Sequence, residues 1–218
     1  MKIVTTGLHA NTAIEKKHLF KLVVFLCRLE DLETKRYLVC PLGALIAQGL
    51  FYFSPNLCKP LIDSFLAISI DDLLAWCLDP MGSRAIEAFL KGKNVDLASK
   101  SKFIKRLKDH WIQLATSAFG SHIVDVCWEL SAIELKESIV QELAEKDREL
   151  QNNFHGKFVY RNCKVESYKA KKQEWRDKEE SVQRKKEMFK DLVETKKKEK
   201  IELDSRKTLP YIPCVAHP

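Results

Sequence analysis

A chain of 218 residues with 45 % hydrophobic and 31 % charged residues is long enough for one good core, or for a short solenoid that buries a continuous ridge between stacked repeats. The formal net charge of +7 favours an anionic partner, yet residues 164–207 hold 16 Lys and Arg against 11 Asp and Glu, so five of the seven surplus charges sit there. Seven cysteines form no CxxC pair and no Cys/His spacing suited to zinc, which speaks against a disulfide framework or zinc site and for a reducing intracellular compartment.

Taken in order, Thr12 and Glu15 form a capping box. The helix it opens should run to about residue 28, with Leu19, Leu22, Val23 and Leu26 at core spacing. Met1 leads into a polar stretch, with no long apolar segment of a signal peptide. The apolar runs 19–29 and 42–53 are too short to span a bilayer, so the expectation is a soluble protein with no membrane partner. Pro41 and Pro55 bracket the next helix, because proline is tolerated at a helix entry and expelled from its interior. Another helix follows over 57–67, and Ser69 opens one that ends near Leu78.

After the Asp79-Pro80 turn comes a helix bearing Ser83, Arg84 and Glu87, which residues 91–94 terminate. Helices over 97–107 and 111–116 precede the one carrying Ser121, His122 and Asp125. Ser131 and Glu134 are a second capping box, opening a helix to about residue 146. The last helix of this kind begins near Gly156. No stretch alternates with period two, so the fold class is all-α.

Residues 168–204 are nearly continuous Lys, Glu, Arg, Gln and Asp without Gly or Pro, which predicts an extended charged helix. Tyr168, Trp175, Val182 and Phe189 recur every seven residues along it, a stripe suited to the helical repeats or a partner, set against the plainer reading of a solvated helix with frayed ends. Its lysines, Lys196 to Lys198 among them, suit nuclear import or general attraction to RNA. Residues 208–218 carry three prolines and no Asp, Glu, Lys or Arg, and are expected to be disordered.

One pattern organises the middle of the chain. Gly43, Gly82, Gly120 and Gly156 recur at intervals of 36 to 39 residues, the mark of a repeat protein. Gly7 stands 36 residues before Gly43, the place of a further, decayed repeat, although Leu8, His9 and Thr12 would make a poor recognition set. Three, four and seven residues beyond each glycine stand Ile46, Ala47 and Leu50; Ala85, Ile86 and Phe89; Ile123, Val124 and Cys127; and Val159, Tyr160 and Cys163. These are the offsets of one apolar helical face.

Positions one, two and five place a second set on another face. Arg84, His122 and Phe158 share position two, and each can lay a planar π-system against a nucleobase. Leu45 cannot, and Ala44 offers no hydrogen bond, leaving Gln48 as the polar member of the first copy. Lys157 and Arg161, two cations at positions one and five, suit phosphate better than a base edge. Glu87 and Asp125 fall in separate repeats and read as hydrogen-bond acceptors. His110 and His122 lack partners at ligand spacing. No phosphate loop, nucleophile elbow or carboxylate pair is present, so the sequence points to no catalytic residue, cofactor or metal.

A glycine followed by a small residue, a planar residue, two apolar residues and a polar one, as in Gly82-Ser83-Arg84-Ala85-Ile86-Glu87, resembles the RNA-facing helix of a Pumilio repeat. Together, LDPMGSRAIEAFL, FGSHIVDVCWE and GKFVYRNC most resemble the C-terminal repeats of the nucleolar protein nine family. The resemblance implies a right-handed α-solenoid of about four Pumilio-like repeats over 35–168, preceded by a helical segment over 1–34. A charged helical tail over 169–207 and a disordered terminus over 208–218 complete the expected organisation.

The resemblance also implies RNA binding through Gln48, Ser83, Arg84, Glu87, Ser121, His122, Asp125, Lys157, Phe158 and Arg161. Ser83 with Glu87 resembles the combination that reads guanine. Its implied setting is the nucleolus, in pre-ribosomal RNA maturation for the small subunit, with pre-ribosomal RNA and pre-ribosomal proteins as partners. Family members carry many more repeats, so the chain reads as a C-terminal portion or short isoform. The competing reading is a HEAT- or armadillo-type protein-interaction solenoid, which has no reason to hold stacking residues at one fixed offset from a glycine.

Overall fold

The structure, a computed structural model, describes residues 17–26 and 39–207, with side chains as far as residue 189. Thr12, Glu15 and Gly7, and the 208–218 terminus, lie outside the described residues. Every element is a helix: α1 (Leu19–Phe25), α2 (Pro41–Leu50), α3 (Pro55–Leu66), α4 (Ile70–Leu78), α5 (Pro80–Lys91), α6 (Leu97–Arg106), α7 (Trp111–Ala115), α8 (Gly120–Leu130), α9 (Ile133–Glu145), α10 (Asp147–Asn152), α11 (Gly156–Asn162), α12 (Val165–Ala170) and α13 (Lys172–Lys207). The chain divides into a repeat unit ending at Lys172 and a second unit from Gln173 onward, dominated by α13. No helix among the described residues is long and apolar enough to cross a membrane.

Local chemistry starts most of these helices where expected. Pro41, Pro55 and Pro80 occupy first positions, where the missing N–H has no helical partner to lose. The Asp79 carboxylate accepts from the amides of Met81 at 2.8 Å and Gly82 at 2.7 Å, and Asp96 accepts from Ser99 N at 2.8 Å. Ser69 caps α4 through Asp72 N at 3.3 Å. Three expectations are corrected. The Ser131 hydroxyl donates to Cys127 O at 2.6 Å, closing α8 instead of capping α9, which starts without a side-chain cap. Helix α1 stops at Phe25, because Leu26 adopts a left-handed φ of 50°, and Leu26 is exposed instead of in the core. The long charged helix starts at Lys172, because Lys171 leaves the helical region and residues 165–170 belong to α12.

The repeat unit is built from triplets: a short first helix (α1, α4, α7, α10), a glycine-led second helix (α2, α5, α8, α11) and a third (α3, α6, α9, α12). Second helices stack in chain order, α2 on α5, α5 on α8 and α8 on α11. Of the predicted apolar face, ten side chains are buried, and Ile46 and Tyr160 are half-buried. Between the first two triplets the core is aromatic. Phe65 lies 4.7 Å from Phe20, 4.6 Å from Phe89 and 5.5 Å from Phe103, ring centre to ring centre.

Polar ties cross the same boundaries. Arg106 donates to Leu66 O at 2.8 Å and also to Ile68 O; Asn94 Nδ2 donates to Tyr52 O at 2.8 Å. Within the third triplet, Glu142 of α9 accepts from the amides of Asp109 and Trp111 at 2.8 and 2.7 Å, satisfying the first free N–H of α7 and one in the turn before it.

The repeated glycine has a packing cause. None of the described glycines has a positive φ, so conformational freedom is not what it supplies. A Cβ on Gly82 would lie 2.6 Å from Trp76 O, on Gly120 2.6 Å from Leu114 O, and on Gly156 2.7 Å from Leu150 O. In each case the obstructing backbone lies six residues earlier, on the first helix of the same triplet. The second helix therefore enters with its backbone pressed on its neighbour's, and its register is set by that contact. Gly120→Ala should lower stability by about 1–3 kcal/mol, read as a shifted urea midpoint at unchanged slope. An unshifted midpoint would show that the backbones separate freely and that glycine does not set the register.

Candidate nucleic-acid interface

Because the glycine fixes how each second helix enters, residues one, two and five places later occupy equivalent positions on α2, α5, α8 and α11. Position two is open to solvent in every repeat: Leu45, Arg84, His122 and Phe158 are all exposed. The three planar side chains thus stand on consecutive stacked helices, while Leu45 marks the first as different.

Position one behaves differently. Ser83 and Ser121 are only 7 % and 6 % exposed, and their hydroxyls lie 3.3 and 3.2 Å from the carbonyls of Pro80 and Ala118, to which they donate. Their small size lets the helices close, and Ala44, at the same place, is fully buried. Lys157 departs from this, being exposed.

At position five the acceptors are half-buried. Glu87 pairs with Lys91, one turn along α5, at 2.5 Å, and this contact raises the Lys91 ammonium above its ordinary pKa. Asp125 accepts from Asn162 Nδ2 at 3.0 Å, which ties the fifth position of one repeat to the next repeat's second helix. Burial pushes the Asp125 carboxyl up, and the Asn162 hydrogen bond and nearby His122 oppose that shift. Gln48 is half-buried, and Arg161 is exposed with its guanidinium carbon 5.3 Å from the Phe158 ring centre.

The last repeat also holds a residue that sequence reasoning did not single out. Phe154, two places before Gly156, is 65 % exposed. Its ring centre is 5.6 Å from that of Phe158 with the planes at 75°, and Lys157 Nζ sits 4.9 Å from its centre. Asn162 and Lys91 were missed likewise, since neither falls on a repeated offset. Among the described residues, no group of His, Cys, Asp and Glu is placed to hold a metal ion.

Helical triplets stacked through a glycine-led second helix, with a planar or apolar side chain exposed two residues beyond, define a PUF-type, or Pumilio, repeat protein. The family described as the NOP9-like PUF repeat domain matches residues 30–158. The chain belongs to that family, which sets aside the HEAT or armadillo reading.

Among curated relatives, Nucleolar protein 9 of Emericella nidulans is 33 % identical over 135 residues, covering 61 % of this chain and 19 % of the relative. Nucleolar protein 9 of Mus musculus is 29 % identical over 167 residues, 75 % of this chain and 26 % of the relative. Pumilio homolog 23 of Arabidopsis thaliana is 30 % identical over 144 residues, covering 65 % and 19 %. The chain thus spans 19 % to 26 % of the length of these relatives. A solved structure of APUM23 with GGAGUUGACGG superposes with a TM-score of 0.74 at 24 % identity, covering 83 % of this chain and 35 % of that one. The Puf3 RNA-binding domain bound to a Cox17 RNA recognition sequence reaches 0.50 at 18 % identity, covering 73 % and 42 %. These likenesses show the fold, a right-handed PUF solenoid.

Proposed function

We propose that the repeats bind single-stranded RNA across the exposed face of α2, α5, α8 and α11, without catalysis, and that the chain works in the nucleolus in maturation of pre-ribosomal RNA for the small subunit. The observation that carries the binding reading is the alignment of Arg84, His122 and Phe158 on three successive stacked helices, all exposed and all able to stack on a base. The relatives named Nucleolar protein 9 support the nucleolar setting, and the Puf3 domain bound to RNA supports the ligand class. Pre-ribosomal proteins are the other partners this setting implies.

Reading of base identity falls to position five. A carboxylate at Glu87 can accept from N1–H and the N2 amino group of guanine, whereas adenine offers an acceptor at N1 and lacks that amino group. Buried Ser83 assists by keeping the helix entry narrow. Selection of bound RNAs from a random pool should therefore enrich guanine with the wild-type chain. Glu87→Gln, which both donates and accepts, should relax that preference, with a mismatch cost of about 1–3 kcal/mol removed. Identical base profiles for the two proteins would remove base reading from Glu87 and leave it as the surface partner of Lys91.

A further inference from the structure

We infer that Phe154 completes a base-indifferent nucleotide subsite in the last repeat, with Phe158 as the second aromatic wall and Lys157 and Arg161 as its phosphate contacts. This deepens the RNA-binding reading above and rests on it. The two rings are among the exposed large hydrophobic side chains of the molecule, at 65 % and 44 %, and they adjoin each other. Paired exposed aromatics are unlike the scattered single apolar residues of an ordinary surface. With their planes at 75° they form a corner, so a base stacked on one ring turns an edge toward the other.

The corner is held in place before any ligand arrives. Asn153 Oδ1 accepts from the amides of His155 and Gly156, both at 2.9 Å, which fixes the turn carrying Phe154. The His155 ring stands at 89° to the Phe154 ring with centres 5.1 Å apart, limiting its rotation. Gly156 then locks the start of α11 against Leu150. Both walls are therefore positioned by the repeat's own register.

The charges at this corner favour a nucleotide over an uncharged apolar ligand. Lys157 Nζ lies 4.9 Å from the Phe154 centre and 5.7 Å from that of Phe158, and the Arg161 guanidinium carbon lies 5.3 Å from the Phe158 centre. Two cations beside two rings supply the stacking and backbone neutralisation that a single nucleotide needs. No carboxylate occupies positions one, two or five here, so those positions offer no acceptor for the N1–H and amino group of guanine, and stacking, which the π-face of every base supports, carries the contact.

The test is titration of the full chain with fluorescein-labelled oligo(U) and oligo(A), for wild type and for Phe154→Ala, Phe154→Leu and Phe154→Trp. Phe154→Ala and Phe154→Leu should each weaken both oligonucleotides about tenfold and equally, and Phe154→Trp should restore both. Circular dichroism should be unchanged throughout, since Phe154 is an exposed side chain. Wild-type affinity in Phe154→Ala, alongside a loss in Arg84→Ala, would overturn this subsite and leave the wider reading standing. Rescue by Phe154→Leu would make the position merely apolar, and a loss for one oligonucleotide only would overturn base indifference. No binding by the wild-type chain would overturn this subsite together with the reading on which it rests.

Discussion

Phe65→Ala is expected to lower the stability of the repeat unit by about 3–5 kcal/mol, the range for removing a fully buried aromatic side chain. The ring is fully buried and sits on α3, yet it touches rings of three other helices: Phe20 on α1, Phe89 on α5 and Phe103 on α6. Phe51, which follows α2, adds a fourth neighbour at 6.5 Å. Its removal leaves a cavity at the junction between the first two triplets, where solenoid stability depends on the interface between neighbours. Phe65→Leu keeps much of the volume and should cost less. Chemical denaturation of the two variants measures both. A loss near the 0.5 kcal/mol of an ordinary surface substitution would mean that the first triplet is not cooperatively joined to the second.

Combined replacement of Arg84, His122 and Phe158 by alanine should weaken RNA binding on the order of a hundredfold or more, since each removed stacking contact contributes about 1–3 kcal/mol. The direction of these side chains separates the effect from folding. All three point away from the apolar face that includes Ile86, Val124 and Val159, and all are exposed. Helix content and the denaturation midpoint should therefore stay near wild type while affinity falls. Fluorescence anisotropy with a labelled single-stranded RNA gives the affinity, and circular dichroism gives the control. Unchanged affinity in the triple variant would move the ligand off this face, and loss of helix would show that these positions carry packing.

Much of this is legible in the amino-acid sequence, because a repeat displays its own register. Apolar positions three, four and seven beyond each glycine depend only on helical periodicity, and Ala85, Ile86, Phe89, Ile123, Val124 and Cys127 are all buried. Exposure at position two follows from the same geometry. The cause of the glycine was not legible, since its obstacle is a carbonyl on the preceding helix and backbone proximity leaves no periodic trace. For the same reason Ser83 and Ser121 read as polar contacts, although that packing encloses them.

The short helices were harder to see. Asp147–Asn152 is too brief and too charged to show periodicity, and its one buried side chain is Leu150, the residue that meets Gly156. The Ser131 pattern was ambiguous because a serine at a helix junction can cap the next helix or close the previous one. Only the distance to Cys127 O decides. Val182 and Phe189 of the heptad stripe are 37 % and 69 % exposed, so sequence spacing alone did not reveal whether that stripe is covered. Phe154 and Asn162 lie off the repeated offsets; the Phe154 contacts belong to the folded last repeat, and the Asn162 contact to Asp125 forms only when that repeat stacks on the one before it.

The central claim, that RNA lies on the exposed second-helix face, is tested most directly by photocrosslinking the full chain to single-stranded RNA carrying 4-thiouridine and mapping the modified peptides. The expected crosslinks fall in α8 and α11 and the turn before α11, at peptides holding His122, Phe154 and Phe158. Crosslinks confined to the third helices α6 and α9, with none in α8 or α11, would contradict it.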